Sequence, residues 1–249
     1  MDRDFRKGHI EIDFPTEPFA SPARLLLQSV RLFVSNFGLL AAITLAVFLP
    51  GKLVLQFACY VFDVPTGGIL SYGLLEVSDL ILGALAVPAV VYGLIGRMRS
   101  GRAPGMGESL RWGRRQWGKT LWNKFKVEIT VALWSLFLVV PGVVAMIKLI
   151  FTDVIVAIEA DRERDPLQRS RDLSEGQRWR IFLALLPALP LDLLHEYATL
   201  RTLQYAPAAM VPVDGLLAVL DRWMNVVILL IYLGMTVPLK PALGKRKAA

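Results

Sequence analysis

Apolar residues in this chain are gathered into blocks instead of recurring with the period of an amphipathic soluble helix or strand. The blocks run over residues 37–62, 69–95, 124–140, 143–160, 177–196 and 215–239. Each is about seventeen to twenty-six residues long, the length that crosses a hydrocarbon core as a helix. The pattern therefore predicts an all-α polytopic membrane protein. Its organising stretch is Val127 to Arg180, an apolar run divided by Pro141-Gly142 and followed by a band of charge from Glu159. Ile129 to Ile158 is about thirty residues, too long for one straight crossing of about twenty and short for two. Pro50-Gly51-Lys52 interrupts the first block and predicts a kink there, with a re-entrant hairpin as the alternative.

Charge decides how the divided run is read. If Pro141-Gly142 is a tight hairpin turn between two spans, there are six spans. The N-terminal arm, the loop from Gly96 to Lys126, the band from Asp161 to Arg180 and the C-terminal tail then share one side. Together they hold 24 of the 28 basic residues. With one kinked span in place of two, the arginines from Arg162 to Arg180 would face the non-cytoplasmic side, against the positive-inside rule. We therefore expect about six spans, with both termini cytoplasmic. Spans three and four are short, and Lys124 and Lys126 reach to the inner edge.

The remaining segments fit around that frame. Residues 1–20 alternate charge without an apolar stretch and read as a flexible cytoplasmic arm with no cleaved signal; residues 21–240 form one membrane domain, and 241–249 a basic cytoplasmic tail. Ser21-Pro22 suits a helix start, followed by a helix lying in the interface. In the basic loop, Leu110, Trp117, Leu121 and Phe125 recur at helical spacing among Arg114, Arg115 and Lys119. This predicts a cytoplasmic amphipathic helix against anionic lipid, with Trp112, Trp117 and Trp122 at headgroup depth.

Composition narrows the chemistry. Hydrophobic residues make up 55% of the 249 and charged residues 20%, while the net charge of +7 is concentrated on one side of the membrane. That placement favours lipid over nucleic acid as the partner. One cysteine, Cys59, excludes an intrachain disulfide. His9 and His195 are the only histidines and have no metal-ligand neighbours at useful spacing. Gly113 to Thr120 spells the Walker A expression, but no buried strand precedes it, so nucleotide binding is not expected. No catalytic grouping is visible, and neither enzymatic activity nor a cofactor is expected.

One ordered series of residues is familiar. Gly101-Arg102-Ala103-Pro104 precedes a basic helix; Pro141-Gly142, Lys148 and Glu159 follow. Then comes Pro166-Leu167-Gln168-Arg169-Ser170-Arg171-Asp172-Leu173, ending near Gly176 and Trp179. Between Gly96 and Leu194 the chain resembles the bacterial glycerophosphoryl diester phosphodiesterase membrane-domain family and related six-helix inner-membrane proteins. The resemblance implies a membrane domain in the bacterial inner membrane and no phosphodiesterase barrel.

Charges within spans are the candidate functional residues, because an ionised group near mid-bilayer normally faces protein or water and has a partner. Lys148 and Asp153 lie in span four, and Lys52, Glu76 and Asp79 in the first two. They read either as a polar or lipid-headgroup site or as structural ion pairs, with Glu159, Arg169 and Ser170 beside them at the cytoplasmic exit. Asp165-Pro166 predicts a capped helix and Gly176 its end, a charged elbow turning the chain back to the membrane. Arg162, Arg164, Arg169 and Arg171 are the alternative phosphate-recognising set. The expected function is an accessory or structural role in the cell envelope, with anionic lipids, a protein partner or a second copy of the chain. The alternative is a small transporter or lipid-handling permease using Lys148, Asp153, Glu76 and Asp79.

Overall fold

The computed structural model describes residues 22–65, 68–101, 104–159, 165–205 and 209–236. The expectations for the arm at 1–20, Ser21, His9, Arg162, Arg164 and the tail at 241–249 lie outside these residues. The described residues form helices and no strand. In chain order these are α1 (Pro22–Ser35), α2 (Phe37–Val61), α3 (Ile69–Ser100), α4 (Met106–Phe137), α5 (Val139–Leu149), α6 (Thr152–Ile158), α7 (Pro166–Ser174), α8 (Arg178–Leu185), α9 (Leu189–Tyr205) and α10 (Met210–Thr236). A 3-10 turn, Leu186–Ala188, joins α8 to α9.

Four segments are long and apolar enough to cross a membrane: Phe37–Val61, Ile69–Arg99, Val139–Ile158 and Met210–Thr236. They account for the expected spans one, two, four and six. The other two expected spans are built differently. Residues 124–140 fall largely in the second half of α4, one continuous helix whose first half carries Arg111, Arg114, Arg115 and Lys119. No break separates a surface helix from a span. Block 177–196 is divided between α8 and α9 around Pro187 and Pro190, whose missing amide hydrogens prevent an unbroken helix. In α2 the helix continues through Pro50, so this segment does not double back.

The chain reverses at Leu138, the extended residue between α4 and α5. Pro141 and Gly142 therefore lie in the first turn of α5 and not at the bend. Gly142 has its own reason to be glycine: a Cβ there would come within 3.1 Å of the Ser135 Cα and Cβ across the hairpin. Gly113 does the same between α3 and α4, where a Cβ would fall 2.5 Å from the Leu85 carbonyl oxygen. That glycine belongs to the Walker-like string, all of which is helical. Its backbone amides serve the helix and form no phosphate cradle.

The bundle has two unlike halves. One is a dry core in which Val87, Ala89, Val90, Leu94 and Ile95 of α3 meet Phe151, Ile155 and Ile158 and the stretch from Val226 to Leu233 of α10. Ile181 of α8 and Leu40 of α2 close it. Trp112 lies here and not at headgroup depth: it is buried, stacks on Tyr92 at 5.4 Å and donates to the Ala157 carbonyl. Trp117 and Trp122 remain exposed. The other half, toward the α2–α3 and α4–α5 turns, is hollow and charged.

Replacing Gly142 with Ala should lower the stability of the detergent-solubilised protein by about 1–3 kcal/mol, the usual cost of overpacking. Adding Ser135→Gly should recover part of that loss in thermal unfolding, because it removes the opposing Cβ and hydroxyl.

Candidate functional site: a charged cavity between the helices

The hollow half encloses a cavity of about 870 Å³ between α2, α3, α4, α9 and α10. Six carboxylates line it: Glu76, Asp79, Glu128, Glu196, Asp214 and Asp221. Three basic side chains, Lys124, His195 and Arg222, lie among them. Helical spacing puts these groups on shared faces. Tyr72, Glu76 and Asp79 recur at intervals of four and three along α3, and Asp214 and Asp221 lie two turns apart on α10.

A ladder of alternating charge crosses the site. Lys52 of α2 is only 1% exposed, and its ammonium lies 2.6 Å from Asp79 and 3.3 Å from Asp214. Asp214, 2% exposed, receives His195 Nε2 at 3.3 Å on its other oxygen and lies 3.5 Å from the Thr199 hydroxyl. The Nδ1 of His195 faces Asp221. A carboxylate can only accept, so a ring that satisfies both neighbours carries a proton on each nitrogen. The order is Asp79, Lys52, Asp214, His195, Asp221, contributed by four separate helices. Burying so many charges is tolerable only because each meets an opposite one.

Other side chains complete the lining. Arg222 donates to the Ala218 carbonyl at 3.1 Å and lies over the Phe48 ring at 5.3 Å. Lys124 rests against Gly83, where a Cβ would come within 2.9 Å of its ammonium. Tyr72 donates to Glu196 across the gap between α3 and α9. Glu76, Glu128 and Glu196 are exposed to the cavity and its mouth. Counting Lys52 behind the wall, six carboxylates stand against four basic groups, so the site is acidic.

The structure divides the candidates named from sequence. Glu76 and Asp79 line this cavity; Lys148 and Asp153 do not. Asp79 pairs with Lys52, not with Lys148. Lys148, Glu159, Arg169 and Ser170 gather instead at the cytoplasm-facing elbow of the expected topology. Asp165 caps α7, accepting from the Leu167 amide at 3.4 Å, with Pro166 at the first position and Gly176 in the left-handed conformation beyond its end. This cap holds Ser170 against the break between α5 and α6. The Ser170 hydroxyl donates to the Lys148 carbonyl at 2.8 Å and accepts from the Phe151 amide at 3.2 Å. Two backbone groups freed by the break are thus satisfied by one side chain. Glu159 accepts from the Tyr232 hydroxyl at 2.6 Å, with Arg169 Nε 3.8 Å away. These residues brace the fold next to the dry core, separate from the cavity.

Sequence reading passed over Lys124, Glu128, His195, Glu196, Asp214, Asp221 and Arg222 as site residues. One signal was available: Asp214 and Asp221, with Arg222, recur at helical spacing in the last apolar block. Placing its start at Gly215 and not at Met210 left Asp214 outside. Arg114, Arg115 and Lys119 are exposed on α4, away from the cavity. Among the described residues no grouping of histidine, cysteine and carboxylates has the arrangement of a metal site. No protein-family model, curated protein or solved structure matches this chain.

Lys52→Met should destabilise the protein by about 3 kcal/mol, the low end for breaking a buried pair, because His195 still serves Asp214. Combining it with Asp214→Asn should restore part of the loss in thermal unfolding. A double change as damaging as the sum of the two single changes would show that the pair is not coupled.

Proposed function

We propose that this protein is a small membrane permease whose acidic cavity takes a cationic solute. The observation that supports this most directly is an 870 Å³ cavity with more carboxylates than basic groups, placed among apolar helices. Charge in such surroundings is costly to maintain, and structural pairing alone needs no cavity around it. A cation entering the site meets Glu76 and Glu128 near the mouth and the Asp214–His195–Asp221 group further in. Its charge offsets the excess of the carboxylates, and that excess disfavours anions.

The topology belonging to this reading has six crossings, with the second half of α4 and the α8–α9 pair added to the four apolar segments. Both termini and the elbow lie in the cytoplasm, and the membrane is the bacterial inner membrane, as the family resemblance implies. The basis is the positive-inside distribution together with the reversal at Leu138.

A second reading has its own support. Arg114, Arg115 and Lys119 project from α4 beside exposed Trp117 and Trp122, with Lys126 lying 5.4 Å over the Trp122 ring. A basic and aromatic surface of this kind suits anionic headgroups, each basic residue contributing on the order of 1 kcal/mol. It supports an accessory envelope role, in which the protein acts by holding lipid, a protein partner or a second copy.

The two readings separate in thermal unfolding of the purified protein with panels of organic cations, anions and neutral solutes. The permease reading expects stabilisation by cations alone, about 2.7 kcal/mol at a hundredfold excess over Kd, and its loss in Glu76→Gln/Asp221→Asn. Indifference to every cation would remove it. If the accessory reading holds, Arg114→Glu/Arg115→Glu/Lys119→Glu should reduce the anionic lipid that co-purifies, which native mass spectrometry reads directly. For the topology, a reporter fused after Arg171 is expected in the cytoplasm; a periplasmic signal there would sink the six-span arrangement.

A further inference from the structure

The cavity is not closed off: Glu76, Glu128 and Glu196 of its lining are exposed. α9 packs chiefly on α10, while α3 and α4 pack closely on each other. α9 does not pack closely on α3 or α4, which leaves a slit between the two pairs. Glu76, Glu128 and Glu196 stand along it, and the Tyr72 hydroxyl reaches across to Glu196. Outside these carboxylates the lips are apolar. Ile129 and Ala132 of α4 and Leu193 of α9 line the cavity at this side, and Leu133, Trp134, Leu194 and Leu200 are exposed on the same two helices. α3 and α10, which form the back of the site, are both long and apolar enough to cross a membrane. In the six-crossing topology proposed above α4 and α9 cross beside them, and the slit then faces hydrocarbon. An opening in that position admits molecules already dissolved in the bilayer, and its apolar lips suit a chain.

We infer that the ligand is an amphiphile with a cationic ammonium headgroup, which enters sideways from the membrane with its head among Glu76, Glu128 and Glu196 and its tail between the lips. This rests on the acidic-cavity reading and adds the route and the ligand class. The head exchanges a membrane interface for carboxylates, and the tail never leaves an apolar environment. Lys124 and Arg222 line the same cavity, and its carboxylates still outnumber the basic groups. A small hydrophilic cation shares the headgroup but gains nothing from the slit.

The test uses two probes with the same headgroup, dodecyltrimethylammonium and tetramethylammonium. Equilibrium dialysis is run on the full chain in nanodiscs, with binding to empty nanodiscs subtracted. The long-chain probe should bind at least tenfold more tightly. Ala132→Trp, which fills the slit from α4, should abolish that preference and leave tetramethylammonium unchanged. Leu193→Trp fills it from α9 and gives the same readout if the first variant does not fold. Glu128→Gln/Glu196→Gln should weaken the long-chain probe about tenfold. Equal binding of the two probes, unaffected by either tryptophan, overturns the lateral route and leaves the acidic cavity standing as a cation site. Binding of neither probe overturns the cation site, and the route with it.

Discussion

Burying the ammonium of Lys52 is the constraint on which the hollow half of this molecule depends. A lone ammonium at 1% exposure would cost far more than the fold could return, so two carboxylates must be brought to it from different helices. Asp79 comes from α3 and Asp214 from α10, and their arrival fixes how both helices are rotated about α2. Asp214 is then too buried to stand with one partner, and His195 of α9 supplies the second. Each pairing creates the need for the next, and the sequence of needs ends at Asp221. The result is a framework held by polar contacts where other helical bundles use leucine and glycine. Space remains between the helices because charged side chains pair end to end, and they do not interdigitate.

The dry half works by the opposite rule. There apolar side chains from Val87 to Ile95, Phe151 to Ile158 and Val226 to Leu233 pack into one cluster, and glycine at 113 lets α4 lie almost against the backbone of α3. A carrier reading uses this contrast, with a rigid apolar floor beneath a charged chamber. The accessory reading uses the other face of α4, whose basic and aromatic side chains point away from both.

The sequence made several elements legible and hid others for definite reasons. Apolar blocks of spanning length located α2, α3, α5–α6 and α10, because length and hydropathy are properties of a segment by itself. The Asp165-Pro166 cap and Gly176 were equally readable, since capping is local. The cavity was not. Which carboxylate meets Lys52 depends on helix rotation, and neither residue's neighbours in the chain record it. Lys148 drew attention as a charge in an apolar run, yet its ammonium takes no part in the cavity, whereas its carbonyl matters through Ser170. Trp112 was read as interfacial from its basic neighbours; one turn of helix places it in the core instead. The bend was assigned to Pro141-Gly142 because those residues break helices, but proline is well tolerated in a first turn, and the reversal falls at Leu138.

The Ser170 hydroxyl gives the α5–α6 break a particular mechanical character. An ordinary helix carries its stiffness in its own ladder, rung by rung. Here two rungs at mid-length run through a side chain borrowed from about twenty residues further along, on the short helix α7. Bending resistance in the middle of this apolar segment is thus set by where that short helix sits. If α7 shifts outward, Lys148 and Phe151 lose their shared partner together and the crossing becomes two pieces joined at a soft joint. The elbow is in this sense a splint, and a splint can be taken off.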